Sequence, residues 1–279
     1  MPSSLLSRSL IYAHRGGAAL RPENTLLAFD HGLSLGADGL ELDVHLSRDG
    51  VVVVHHDRTL DRTTSARGPL AALTADELGA LDAAAHFTPA GSRDTPWRGQ
   101  GVGVPTFQQV LERYPGVPLL VELKVGAPEL IEQIVALIRA AKAVERVALG
   151  SFHTGVLKAV RRLEPALRTG ASREETRWAL YRSWVRWPLR QPAYDEFQVP
   201  ETSGRTRVVS PQFVAHAHRA GVAVKVWTVD DRADIDRLLD WGVDAIISDR
   251  PDVAVEAVKA RRGTGATQTR ERDPTGERE

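Results

Sequence analysis

Residues Glu41 to Asp57 read ELDVHLSRDGVVVVHHD. Glu41 and Asp43 stand two apart in an apolar-flanked run. In a strand, alternate side chains share a face, so both carboxylates point the same way. Arg48, Asp49 and Gly50 supply turn chemistry, and Gly50 allows a backbone angle that other residues avoid. Four valines follow, which is strong strand composition. The simplest reading is a hairpin. A turn centred on Arg48 and Asp49 sets Val54 opposite Asp43 and His56 opposite Glu41. Two acids and an imidazole then converge, as a metal site with an acid/base beside it requires. The alternative is an exposed hairpin edge blunted with charges.

Working outward, Ser9–Ala13 reads as a short strand ending in His14-Arg15-Gly16-Gly17. Asn24 suits the N-cap of an amphipathic helix over Thr25–Leu35. The second strand is Gly39–Leu46. Residues 58–104 are rich in Arg, Asp, Thr, Gly and Pro, with one clear helix start at Thr74-Ala75-Asp76-Glu77. They read as an insertion over the mouth of the main domain. Strands and helices then alternate. Strands are expected at 118–125, 147–152, 167–171, 196–200, 222–229 and 245–248. Helices are expected at 127–143, 154–163, 211–220, 232–241 and 253–261, with a tryptophan-rich helical region ending at Leu189. About eight such units in roughly 250 residues have the size of an α/β fold of the (β/α)8 TIM-barrel kind. Residues 1–262 thus form a single domain, and 263–279 read as a disordered tail.

The chain has 279 residues with 36 Lys+Arg against 36 Asp+Glu, so its formal charge is zero and a bulk affinity for nucleic acid is not supported. It has no cysteine, which excludes disulfides, thiolate metal sites and a cysteine nucleophile. No segment has the apolar length of a membrane span or a signal h-region. The expectation is a cytoplasmic protein without a stable membrane anchor.

Barrel chemistry sits at the C-terminal ends of the strands. Those ends carry His14, Arg15, Glu41, Asp43, Glu122, Lys124, Phe152, Trp227 and Asp249, from distant segments but on one face. With Pro22-Glu23-Asn24-Thr25, Asp49-Gly50, His56-Asp57, Val104-Pro105-Thr106 and Gly242-Val243-Asp244, these motifs resemble the glycerophosphodiester phosphodiesterase family, in order, over about residues 10–260. The resemblance implies a TIM barrel that hydrolyses small-molecule glycerophosphodiesters to sn-glycerol 3-phosphate and an alcohol. It implies one divalent cation, Ca2+ or Mg2+ with Mn2+ as a further option, on Glu41, Asp43 and Glu122. It also implies His14 and His56 as the general acid/base pair, Arg15 and Lys124 on the phosphate, and Trp227 in the glycerol pocket. Phe152 joins the substrate-binding set.

Some residues have blander readings. His55 has the opposite strand phase from His56 and reads as structural. His45 either faces the site or extends up the hairpin. Lys225 is expected to fill the lumen in an ion pair. The stretch Trp178–Trp187 interleaves aromatics with arginines. It reads as an outer helix with its aromatic face on the barrel, as a homo-oligomer interface, or as a surface for lipid. Three functions compete: a glycerophosphodiesterase, a lysophospholipase D whose mark is an apolar groove leading from the metal, and a barrel that binds phosphodiesters without turnover.

Overall fold

In this computed structural model the described residues are 9–270, with side chains described to 261. Eight parallel strands follow one another around a barrel: β1 (Leu10–His14), β2 (Gly39–Leu46), β4 (Leu119–Leu123), β5 (Val147–Gly150), β6 (Arg168–Thr169), β7 (Glu196–Pro200), β10 (Ala223–Trp227) and β11 (Ala245–Ser248). β11 pairs back onto β1. The β6–β7 edge is joined by a bridge between Gly170 and Glu196. Helices α1 (Leu26–Ser34), α3 (Phe107–Arg113), α4 (Pro128–Ala140), α5 (Thr154–Leu163), α6 (Arg173–Trp184), α7 (Pro211–His218), α8 (Arg232–Asp240) and α9 (Pro251–Arg270) connect them.

Period-two alternation divides each strand between two environments. Leu40, Leu42 and Val44 of β2, with Leu119, Val121 and Leu123 of β4, face out into the main core under the helices. The opposite phase fills the lumen. Its apolar layer is Tyr12, Leu120, Ala148, Ala245 and Ile247. Beside Tyr12, Lys225 pairs with Glu196 at 2.7 Å, the expected lumen ion pair. Gly39 belongs where it is because a Cβ there would meet the Tyr12 ring at 2.5 Å.

The hairpin forms, but one residue out of the expected register. Val44 faces Val54, and Leu46 faces Val52 of the antiparallel strand β3 (Val52–Val54). The turn takes five residues, 47–51, because Ser47 folds it inward. The Ser47 Oγ donates to Asp49 Oδ1 at 2.6 Å and accepts from Val51 N at 3.0 Å. His55 N therefore donates to Asp43 O, and the residue opposite Asp43 is His55 rather than Val54.

Three further expectations shift. The cap of α1 is Thr25, whose side chain accepts from Ala28 N; Asn24 turns away with φ of 57°. The aromatic residues of α6 face outward, and Ala179, Leu180 and Ser183 are the ones buried on the barrel. The helical pattern fits both choices, and the small side chains allow the closer approach. Finally, α9 runs on through Arg270, since extending a packed helix costs far less than starting one. The rest of the expected tail, 271–279, lies outside the described residues.

The 58–104 segment has its own small core of Leu60, Leu70, Ala75, Leu78, Ala83 and Val104 against Val53. Its helix α2 (Ala75–Gly79) begins with the expected capping box between Thr74 and Glu77. No residue of this segment lines the central cleft, but its Arg62 pairs with Glu23 and Asp57 at the rim. A two-stranded ribbon, β8 (Thr202–Ser203) with β9 (Thr206–Arg207), rises beyond β7. No helix among the described residues is long and apolar enough to cross a membrane.

Candidate active site

Three neighbouring strands bring His14 and the acids together. His14 is in register with Glu41, and Asp43 with Glu122. Since all four have the inward phase, they gather at the C-terminal end of the lumen. One carboxylate oxygen from each of Glu41, Asp43 and Glu122 lies within 4.8 Å of the others. Glu41 and Asp43 are buried, while Glu122 is partly open. Burial, and then the Asp43 charge, push the Glu41 carboxyl up to about 7. Asp43 goes the other way. Burial raises it, but Lys124 and Arg15 outweigh that and hold it below the usual range.

The cations are close-set. Lys124 Nζ lies 2.9 Å from both Asp43 Oδ1 and Glu122 Oε2. Arg15 follows β1 in a left-handed conformation, φ 49°, before Gly16 at φ 88°. A Cβ on Gly16 would sit 2.7 Å from the backbone of α1, so this turn needs glycine. The turn aims the Arg15 backbone N at Glu41 Oε2 (3.1 Å) and its guanidinium at Glu23 (2.9 Å) and Asp43 (3.2 Å). The Arg15 Nε is buried yet misaligned for a hydrogen bond to Asp43, so a donor is left over at the site.

Two histidines flank the acids, each held by a carboxylate. His14 Nδ1 lies 2.6 Å from Asp249 Oδ1, and its Nε2 lies 3.7 Å from Glu41 Oε2. Burial works against a charge on His14, but Glu41 and Asp249 together raise its pKa above the ordinary value. His56 Nδ1 lies 2.6 Å from Asp57 Oδ1. His56 reaches the cleft despite the altered register, because β3 ends at Val54 and the chain is free to turn. His45 Nε2 fixes that turn through the His56 carbonyl at 3.0 Å, so His45 faces inward as a support. His55 points away, to the Asp57 carbonyl and Thr63, as expected, although the observed register alone would set it beside Asp43.

His14, Arg15, Glu41, His56, Glu122 and Lys124 open onto one cleft of about 170 Å3. Phe152 and Trp227 form its apolar side, with ring centres 6.3 Å apart. Every expected site residue but Asp43 lines the cleft, and Asp43 lies beneath, tied to Lys124 and Arg15. Four contributors were not given a role from sequence. Asn24 is buried, and its amide bridges to Asp43 through Nδ2 (2.9 Å) and from Asp43 N (3.3 Å). Asp249 and Asp57 orient the histidines. Glu23 joins Arg15 to Arg62. Asp57 could have been found by its place next to His56. Asn24 stands in the Pro22-Glu23-Asn24-Thr25 motif, but its residue type also suits a helix cap.

Such a cleft can neutralise a phosphate, hold a hard cation and move protons on two sides of a bond. The chain matches the model of the glycerophosphoryl diester phosphodiesterase family over residues 14–253. It is 33% identical over 257 residues to a glycerophosphodiester phosphodiesterase of Caldanaerobacter subterraneus subsp. tengcongensis, covering 90% of this chain and 98% of the relative. A structure from Mycobacterium tuberculosis, of a glycerophosphoryl diester phosphodiesterase domain, shares the fold with a TM-score of 0.79 at 24% identity, over 91% and 100% of the two chains. An Oleispira antarctica phosphodiesterase solved with the product sn-glycerol-3-phosphate matches with a TM-score of 0.69 at 25% identity, over 90% and 97%.

Proposed function

This chain belongs to the glycerophosphoryl diester phosphodiesterase family and is a glycerophosphodiester phosphodiesterase, and from that premise we propose how the cleft divides the work. We infer hydrolysis to sn-glycerol 3-phosphate and an alcohol by a metal-dependent reaction with His14 and His56 as the acid/base pair. The observation that carries this reading is the convergence of two carboxylate-backed imidazoles, three acids and two cations on one small cleft. The Oleispira complex supports the choice of product.

Glu41, Asp43 and Glu122 are the proposed ligands of one divalent cation. The donor set fits: three hard carboxylate oxygens in a chain without cysteine favour Ca2+ or Mg2+, with Mn2+ also compatible. The raised Glu41 carboxyl fits too, because burial first, and then the Asp43 and Glu122 charges, disfavour its ionised form where a cation would favour it. When bound, the cation polarises a phosphoryl oxygen and offsets charge on the phosphate.

The chain's own residues supply the rest. Arg15 can grip phosphate oxygens through its fork, whereas Lys124 acts as a point charge. Phe152 and Trp227 wall the side that takes the glycerol. One histidine accepts a proton from the nucleophile and the other donates one to the departing alcohol. Asp249 and Asp57, each 2.6 Å from its imidazole, fix the ring orientations. The nucleophile is either water or the glycerol 2-hydroxyl, and phosphorus NMR distinguishes them by a cyclic phosphate intermediate.

The test is release of glycerol 3-phosphate from glycerophosphocholine, with EDTA and with each cation restored. The reading expects turnover that EDTA abolishes and added cation returns. Turnover untouched by EDTA would remove the metal from the reaction.

A further inference from the structure

The cleft continues past Phe152 and Trp227. A second hollow of about 630 Å3 begins there and shares Phe152, Ala171, Gln198 and Trp227 with it. The cleft alone falls below the roughly 300–1,000 Å3 of drug-sized ligand sites, and the hollow falls within that range. Leu180, Tyr181 and Trp184 of α6 make one wall. Val199, Pro200 and Val208, after β7, make the other. The lining is mainly apolar, as a hydrocarbon chain requires.

Exposed apolar residues meet at the same place, since Phe152, Tyr181 and Trp184 line the hollow and are exposed. Seven large hydrophobic residues are exposed among the described residues. Five of them, between 45% and 73% exposed, are Trp178, Tyr181, Trp184, Val185 and Trp187; a sixth is Phe152. The Trp178, Tyr181 and Trp184 rings touch in sequence, with centres 6.2 and 5.3 Å apart, so they form one strip. Such a strip left in water marks a binding surface. Its continuity with the reaction cleft decides the occupant. A protein docked here would cover the way into the cleft. A chain attached to the substrate would enter the hollow as the phosphodiester enters the cleft.

We propose that the hollow receives a single aliphatic chain carried on the glycerol of the phosphodiester, which makes lysophospholipids substrates of this site. The inference rests on the diesterase reading above. The balanced step is the same hydrolysis. Over the whole reaction one water is consumed: the bond from phosphorus to the headgroup oxygen breaks, that oxygen takes a proton, and phosphorus gains the hydroxyl, whether water attacks directly or opens a cyclic phosphate. Lysophosphatidylcholine gives lysophosphatidic acid and choline.

The experiment uses the full chain and two readouts. Calorimetry measures binding of alkylphosphocholines with 6, 8, 10 and 12 carbons, below their micelle concentrations. Turnover is compared on glycerophosphocholine and on short-chain lysophosphatidylcholine. Affinity is expected to rise at least about threefold for each added pair of methylenes, a cautious fraction of the full transfer value. The exposed pair Tyr181→Glu with Trp184→Glu is expected to flatten that series. The same pair is expected to lower the ratio of lysophosphatidylcholine to glycerophosphocholine turnover about tenfold or more. A flat series in the wild-type chain overturns the proposal, and so does a rising series that the double variant leaves unchanged. A rising series that the double variant flattens, in a protein that hydrolyses neither substrate, upholds the hollow and rejects the diesterase reading instead, whereas turnover of glycerophosphocholine with none of lysophosphatidylcholine overturns the proposal.

Discussion

The lumen of this barrel holds two ionic groups. In one, Glu196 and Lys225 pair at 2.7 Å over the Tyr12 ring, and Gln198 donates to Glu196 at 2.8 Å. Charge balances, and burial, which alone would raise the Glu196 carboxyl, is outweighed by Lys225 and Gln198. In the other, Glu41, Asp43 and Glu122 share Lys124 and Arg15, and Glu41 is driven up rather than down. Both groups are built from inward-phase residues, the first on β7 and β10 and the second on β2 and β4. The difference is that the first closes on itself and the second has negative charge to spare. A satisfied buried pair can be structural. A crowded acidic cluster beside two oriented imidazoles is placed for a ligand.

That contrast can be broken at several points. The largest effect is expected from His56→Ala, with about 10²–10⁴-fold lower turnover and an unchanged melting temperature. A variant that also melts early would make His56 part of the scaffold. Next comes Glu196→Gln. Leaving Lys225 unpaired should cost about 3–5 kcal/mol of stability in denaturant, while the folded fraction keeps its activity. If stability held and activity collapsed, the two ionic groups would have exchanged roles.

Glu23 offers a test at the rim. Burial raises its carboxyl, but Arg62 and Arg15 bring it down to about 2 from 4.5. A carboxyl depressed on folding stabilises fully above its unfolded value. That contribution is lost as pH falls from about 4.5 toward 2. It is of the order of 3 kcal/mol at neutral pH. Glu23→Gln should therefore lower neutral-pH stability and flatten the acid limb of the stability curve. An acid limb as steep as that of the wild type would place the titration elsewhere. The smallest effect is expected from His55→Ala, a loss of about 1 kcal/mol from its hydrogen bonds with little change in rate. A rate loss matching His56→Ala would reverse the assignment of the two faces.

Much of this was readable from the residues. Period two placed Glu41 with Asp43, and Glu122 with Lys124, and it set His55 against His56. The barrel followed from the alternation of elements. The register did not, because whether Ser47 joins the strand or the turn depends on one hydroxyl bonding Asp49. Asn24 was read as a cap when its neighbour Thr25 takes that role, leaving its amide for Asp43. The direction of the α6 aromatics was also hidden. A helix with small residues on one side and rings on the other can bury either, and only the space left by the barrel decides.

The most direct measurement is a calorimetric titration of Ca2+, Mg2+ and Mn2+ into EDTA-stripped protein, beside Glu122→Gln and Glu196→Gln. The account predicts one cation per chain, binding at least about tenfold weaker in Glu122→Gln and unchanged in folded Glu196→Gln. Equal binding in all three, or none in the wild type, would contradict the claim that the surplus of acid is what makes this end of the barrel a site.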